Sequence, residues 1–304
     1  MTKELNGVLT ALATPFDAND QIDVGLLQKL VDRSINAGVD ALVAGGGTGE
    51  VASLSDDERL HLFDVVIEHT AGRVPVVANT GALTAKKAIH LSQGAERAGA
   101  DVLMVITPYY EPLVIEEITR YIKEVASSVE IPIMLYNNPG VTGVNLDAET
   151  LAAFGREIEN IRYVKDSSKD WEQALRLIHD HRDDIGLIMG WDSYIFSALL
   201  EGATGVMAGA ANVVPEEIVG VARAIRNGDV GGAREQWRRV FPVIDAMLAV
   251  PFTQAVKAGL RLQGEPIGSP REPLIDLSPE GTSRLEAALA RLSRRENLEP
   301  AIPT

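Results

Sequence analysis

A chain of 304 residues that is 46% hydrophobic, with 27 glycines and 5% aromatics, can bury a large core of strands and helices joined by tight turns, and does not suit an all-β sandwich. The net charge of -15 argues against nucleic acid and anionic membranes as partners, because both require a positive field; a small molecule, its charge met locally, is the expected partner. Zero cysteines exclude disulfides, iron-sulfur clusters, thiolate zinc sites and thiol nucleophiles, and with no apolar run near ~20 residues and no apolar leader in residues 1–6, a cytoplasmic protein is expected.

Short apolar runs at 8–12, 41–44, 76–78, 102–106, 133–136, 163–165, 187–189 and 205–208 alternate with amphipathic stretches, as in repeated β-α units on a parallel sheet. Helix starts are legible between them. Ser55 with Glu58 three residues on makes a capping box, Asp170 precedes Trp171 and Gln173, and Pro215 takes a first-turn position. Eight such units predict an α/β fold of the closed (β/α)8 barrel type rather than a doubly wound sheet. After Asn227, Gly228 and Asp229 the strand pattern stops, and 230–248, 252–262 and 279–292 read as helices. The expected organisation is a barrel domain at 1–228 and a C-terminal helical subdomain at 229–304.

In such a barrel, reactive groups sit at the C-terminal strand ends. Those positions hold Thr14, the loop 45–50, Asn79, Thr80, residues 107–110, Tyr136 to Asn138, Lys165 to Ser167, Trp191, Asp192 and residues 209–212. The histidines, at 61, 69, 90, 179 and 181, all fall in predicted helices, which leaves Glu50, Asp166 and Asp192 as the mouth's carboxylates, and no metal or cofactor is expected.

Lys165 ends an apolar run, where a solvated surface lysine would be out of place. A lysine whose pKa is lowered by burial or a cationic neighbour can condense with a ketone to a Schiff base, whereas a snorkelling lysine would be inert. Tyr136 ends the neighbouring run and can pass protons beside it. Gly45 to Gly49 can turn consecutive backbone N–H groups toward a carboxylate or phosphate, with the Thr48 hydroxyl as a further donor, or serve as a tight turn needing positive φ.

Gly-Gly-Thr-Gly-Glu at 46–50, Thr-Pro-Tyr-Tyr at 107–110, Tyr-Asn-Asn-Pro at 136–139 followed by Thr142 and Gly143, Val-Lys-Asp-Ser-Ser at 164–168, and the glycine-rich stretch 202–212 together resemble the dihydrodipicolinate synthase / N-acetylneuraminate lyase family of Schiff-base aldolases. The resemblance implies that Lys165 forms an imine with pyruvate or a 2-oxo acid containing it, that Tyr136 shuttles protons, and that Gly47 and Thr48 bind the substrate carboxylate. It also implies a homotetramer built as a dimer of dimers, with Tyr110 near a subunit interface, a second substrate half contacting Val141, Asp166, Ser167, Trp191, Asp192 and Ala210, and Tyr110 and Val206 among the substrate-binding residues.

Two residues depart from the biosynthetic synthases of this family. Gly47 stands where they have a threonine whose hydroxyl links the catalytic tyrosine to a neighbouring subunit, and Val141 stands where they have an arginine that grips a second carboxylate. The expectation is therefore a lyase, aldolase or dehydratase on the sugar-acid catabolic side, acting on 2-keto-3-deoxy acids. The alternative is 4-hydroxy-tetrahydrodipicolinate synthase proper, and the reading of another class is a non-catalytic regulatory barrel that binds a 2-oxo acid.

Overall fold

The computed structural model describes residues 4–296. Eight parallel strands close into a barrel in chain order: β1 (Gly7–Ala11), β2 (Ala41–Ala44), β3 (Val76–Asn79), β4 (Val102–Ile106), β5 (Ile133–Asn137), β6 (Ile161–Asp166), β7 (Gly186–Met189) and β8 (Gly205–Ala208). Each lies within two residues of its predicted run. The (β/α)8 architecture expected from the alternating pattern is therefore the one observed.

The helices are α1 (Val24–Ala37), α2 (Asp56–Thr70), α3 (Ala85–Ala98), α4 (Ile115–Ala126), α5 (Pro139–Thr142), α6 (Ala148–Glu157), α7 (Trp171–His179), α8 (Ile195–Glu201), α9 (Pro215–Arg226), α10 (Val230–Leu248), α11 (Phe252–Leu262) and α12 (Pro279–Glu296). Their starts follow from local chemistry. Ser55 Oγ accepts from the Glu58 N–H while Glu58 accepts from the Ser55 N–H, and Asp170 accepts from the Gln173 N–H. His181 corrects one expectation: α7 stops at its C-cap Asp180, and His181 lies in the turn beyond, against Asp184 and Glu149.

Alternation along each strand divides the core in two. One set of side chains fills the barrel interior, among them Leu9, Val43, Val77, Met104, Met134, Ile188 and Met207. The other set, including Val8, Leu42, Leu103, Leu135, Val164 and Val206, packs under the helices. Both faces are dry, so the strands read as continuous apolar runs. Asn212 seals the β8–β1 seam: its Oδ1 accepts from the Ala13 N–H, and its Nδ2 donates to the carbonyls of Ala11 and Gly209. α10 packs on α9 and α12, and α11 runs beside α12. No helix among the described residues is long and apolar enough to cross a membrane.

Candidate active site

Tyr136 and Lys165 are register partners on adjacent strands, so strand alternation sends both side chains inward at the C-terminal end of the barrel. The Lys165 Nζ stands 3.8 Å from the centroid of the Tyr136 ring, and the lysine is 7% exposed. Burial pushes the Tyr136 phenol up, but the Lys165 charge and hydrogen bonds with Lys165, Ser167 and Asn138 outweigh it, and the net direction is down. The Asn138 amide donates to the Tyr136 hydroxyl at 3.0 Å. A phenol held below its ordinary value beside an amine suits proton transfer at neutral pH.

Gly190 makes room for the lysine. A Cβ there would lie 2.9 Å from Lys165 Cε and would collide with Ser167 Oγ, which instead donates to the Gly190 carbonyl at 3.0 Å. The lysine stem thus depends on the missing Cβ of Gly190. Its fit against Lys165 comes from the β6–β7 pairing, which no local pattern reveals.

The loop after β2 makes the tight turn that its glycines allow. Gly45 takes positive φ (67°), as a tight turn requires, and Gly46 and Gly47 do not. The Gly46 carbonyl accepts from the Gly49 N–H and the Gly47 carbonyl from the Glu50 N–H, each at 3.0 Å. Among the described residues no acceptor takes the N–H groups of Gly47 and Thr48, which suits an incoming anion. Thr14 Oγ1 donates to the Gly49 carbonyl (2.7 Å) and Asn79 Nδ2 to the Gly45 carbonyl (2.7 Å), fixing the loop from both neighbouring strands. Nothing lies within 4 Å of where a Gly47 Cβ would stand.

Asp192 is buried at the mouth, where its Oδ1 accepts from the Ala210 N–H at 2.8 Å. Burial pushes its carboxyl up to about 6, against the pull of the Ala210 and Gly209 N–H groups and the Lys165 charge. Ser167 and Ala210 therefore lie in the same neighbourhood as Lys165. Val141 sits on the short α5, 52% exposed, and Tyr110 is 84% exposed in the loop before α4. Neither makes a polar contact with the lysine.

Two residues lie elsewhere than expected. Asp166 follows Lys165 directly, so alternation turns it outward, where Asn137 Nδ2 and Ser168 Oγ donate to it at 2.7 Å and burial pushes its carboxyl up. It braces the strand ends rather than facing the barrel axis. Val206 is likewise in the layer beneath the helices, and its neighbour Met207 is the β8 side chain that faces the interior. Counting positions along β8 in steps of two would have found it. A cleft of about 970 Å³ opens at the opposite end of the barrel among Glu4, Lys123, Glu130, Arg162 and Tyr163, remote from Tyr136 and Lys165.

Glu50, expected at the mouth, has a partner that no local pattern foretold. Glu50, also in the left-handed region with φ of 59°, a conformation that costs an L-residue roughly 1–2 kcal/mol, forms a buried pair with Lys257 of α11. Burial lowers the Lys257 ammonium, the Glu50 carboxylate pulling the other way.

Residues 4–292 match the model of the dihydrodipicolinate synthetase family. The chain is 38% identical over 282 residues to 4-hydroxy-tetrahydrodipicolinate synthase 1 of Halalkalibacterium halodurans, covering 93% of this chain and 95% of that protein. A crystal structure of dihydrodipicolinate synthase superposes with a TM-score of 0.91 at 36% identity, covering 95% of this chain and 99% of the other. A prophage protein of the dihydrodipicolinic acid synthase family from E. coli K12, solved in complex with pyruvate, gives a TM-score of 0.91 at 31% identity over 95% of this chain and 98% of its own. With the barrel, the lysine-tyrosine pair and the glycine loop all in place, the chain belongs to the dihydrodipicolinate synthetase family of Schiff-base lyases.

Proposed function

We propose that Lys165 condenses with the C2 ketone of pyruvate, or of a 2-oxo acid that contains it, and that Tyr136 moves the protons. The observation that carries this is the 3.8 Å approach of the Lys165 Nζ to the Tyr136 ring in a nearly closed site. The neutral amine adds to C2, and the carbinolamine loses its oxygen as water, for which the Tyr136 hydroxyl can supply a proton. The protonated imine then accepts the electron pair of a breaking bond at C3, giving an enamine. In the condensing direction the enamine carbon attacks an aldehyde, and hydrolysis of the imine frees the lysine. The N–H groups of Gly47 and Thr48 receive the substrate carboxylate, supplying the local anion site that a chain of net charge -15 needs.

For the second substrate, the name of the Halalkalibacterium relative supports condensation with aspartate semialdehyde, as in 4-hydroxy-tetrahydrodipicolinate synthase, and this is the reading carried forward in place of the sugar-acid expectation. The sugar-acid reading stands second on a specific observation: Val141 has no group with which to grip a second carboxylate. Turnover of pyruvate with aspartate semialdehyde, compared with cleavage or dehydration of 2-keto-3-deoxy acids, separates the two. Ordinary turnover in the first assay sustains the synthase, whereas turnover in the second alone replaces it.

The imine itself is tested by intact mass after incubation with pyruvate and borohydride. One reduced pyruvate on Lys165, absent in Lys165→Ala, is the expected result; no adduct with any 2-oxo acid would leave the non-catalytic barrel. A homotetramer acting in the cytoplasm completes the proposal, supported by the apolar surface that Tyr110, Val114 and Ile115 expose beside the mouth. Sedimentation of an active monomer would remove the tetramer from it.

A further inference from the structure

The glycine loop is held by charges from the far end of the chain. Glu50 ends the loop in a conformation that glycine would adopt without strain, yet the position carries a glutamate with a buried carboxylate. Glu50 Oε1 lies 2.5 Å from the Nζ of Lys257, and Oε2 accepts from the main-chain N–H of Arg271 at 2.8 Å. Lys257 is 0% exposed; it also donates to the Ser269 carbonyl (3.0 Å) and stands 4.3 Å from the Phe16 ring centroid. The Arg271 guanidinium lies 4.2 Å from the same ring and reaches the Ser53 carbonyl (3.0 Å) and the Glu58 carboxylate (2.6 Å), so it secures the chain on the downstream side of the loop as well.

Peptide orientation is what this anchor controls. In a trans peptide the N–H points away from the C=O of the same plane. The Gly49 and Glu50 N–H groups pin the carbonyls of Gly46 and Gly47, so the N–H groups of Gly47 and Thr48 are turned to the opposite side. If Glu50 is released, both planes are free to rotate. α11 reaches the same place a second time, because Phe252 packs against Gly209, where a Cβ would stand 3.1 Å from Thr48 Oγ1.

We propose that Lys257 and Arg271 are positioning residues for the substrate carboxylate: the Lys257 ammonium and the Arg271 main-chain N–H hold Glu50, the Arg271 guanidinium holds Ser53 and Glu58 just beyond it, and together they fix the two peptide planes whose N–H groups receive the anion. The inference rests on the Schiff-base reading and deepens it. The anchor sets affinity for the carboxylate and leaves the reactivity of Lys165 alone. A ketone without a carboxylate is therefore indifferent to it.

The test compares trapping of pyruvate and of hydroxyacetone by borohydride on Lys165, as a function of ketone concentration, in the parent, in Glu50→Gln/Lys257→Met and in Arg271→Lys. The double variant removes both charges and strands neither in the interior. Its half-saturating pyruvate concentration should rise by about tenfold, the scale of one charge-assisted hydrogen bond, while that of hydroxyacetone moves by less than about twofold. Arg271→Lys should show the same selectivity at about threefold, since a lysine cannot span Ser53 and Glu58 together. If circular dichroism shows the double variant unfolded, Arg271→Lys decides alone. Folded variants that keep the parent's pyruvate affinity, or that weaken both ketones equally, overturn the proposal while leaving the lyase intact. A parent that traps neither ketone overturns the Schiff-base reading and this inference with it.

Discussion

The two halves of the mouth are built by different means. The pair proposed to react, Tyr136 and Lys165, is a product of strand register: adjacent parallel strands in phase put two inward side chains together, with Gly190 on the next strand end leaving room for the lysine. The loop proposed to receive the anion is a product of remote contacts, fixed by Thr14 and Asn79 from neighbouring strands and by Lys257 and Arg271 from beyond the barrel. Chemistry written into a periodic element survives changes around it, whereas a loop with few internal contacts has to be held from outside.

Altering the strand-built half should have the largest effect. Tyr136→Phe keeps the ring over Lys165 and removes the proton carrier, so kcat should fall by about 10²- to 10⁴-fold with little loss of stability. Steady-state kinetics beside a thermal melt would show the split. Equal losses of rate and Tm would mean that the phenol is packing.

Altering the loop-built half should reverse that ratio. Lys257→Met alone leaves the Glu50 carboxylate buried without its cation, and breaking such a pair costs about 3–5 kcal/mol. Urea unfolding of the single and double variants closes the cycle: Glu50→Gln/Lys257→Met should recover much of the loss. If it does not, the pair adds little to its surroundings.

A pH series sharpens the contrast between a carboxylate facing the site and one in the anchor. Asp192 has a folded pKa of about 6, above its unfolded value of 3.8. The unfolded chain therefore loses its proton first, and stability falls as pH rises through roughly 4 to 6, by about 3 kcal/mol at neutrality. Glu58, held at about 2 chiefly by Arg271, has the opposite sign: its contribution is present above about pH 4.5 and is lost as pH falls toward 2. Asp192→Asn should gain Tm on the parent between pH 5 and 7.5, and Glu58→Gln should lose Tm on the parent at neutral pH and approach it in acid. A constant offset for both variants would mean that neither carboxylate titrates differently on folding.

The smallest change concerns Gly47. Open space surrounds its missing Cβ and its φ is not positive, so Gly47→Thr should alter stability by less than about 0.5 kcal/mol. Activity with aspartate semialdehyde, measured in that variant, tells whether a hydroxyl at this position limits the rate. An increase would mean that the parent lacks a proton path, and no change would mean that Tyr136 is served by Asn138 and Ser167.

Periodicity explains what the sequence could and could not reveal. Eight apolar runs with capping signals between them specified the barrel because a buried parallel strand has one dominant requirement, continuous apolar surface. Lys165 stood out by violating it, and Tyr136 by standing at the matching end of the neighbouring strand. Asp166 and Val206 were assigned to the site from motif positions without applying the two-residue alternation that turns both under the helices. Gly190 and Lys257 were beyond a local reading, since a missing Cβ and an internal ammonium acquire meaning only from partners that sequence separation conceals. Lys257 sits in a helix with Arg261 close by, a pattern that looks like a solvated face.

Glu50 and Arg271 are 221 residues apart. A ribosome adding about 5–20 residues per second takes roughly 10–45 s to travel between them. Over roughly the last half of that interval, once Lys165 has been added, the nascent chain carries its lysine and tyrosine while the loop still lacks its contacts with Lys257 and Arg271. A chain cut short before α11 would thus keep the amine proposed to react and lack the contacts that hold the loop proposed to bind the carboxylate.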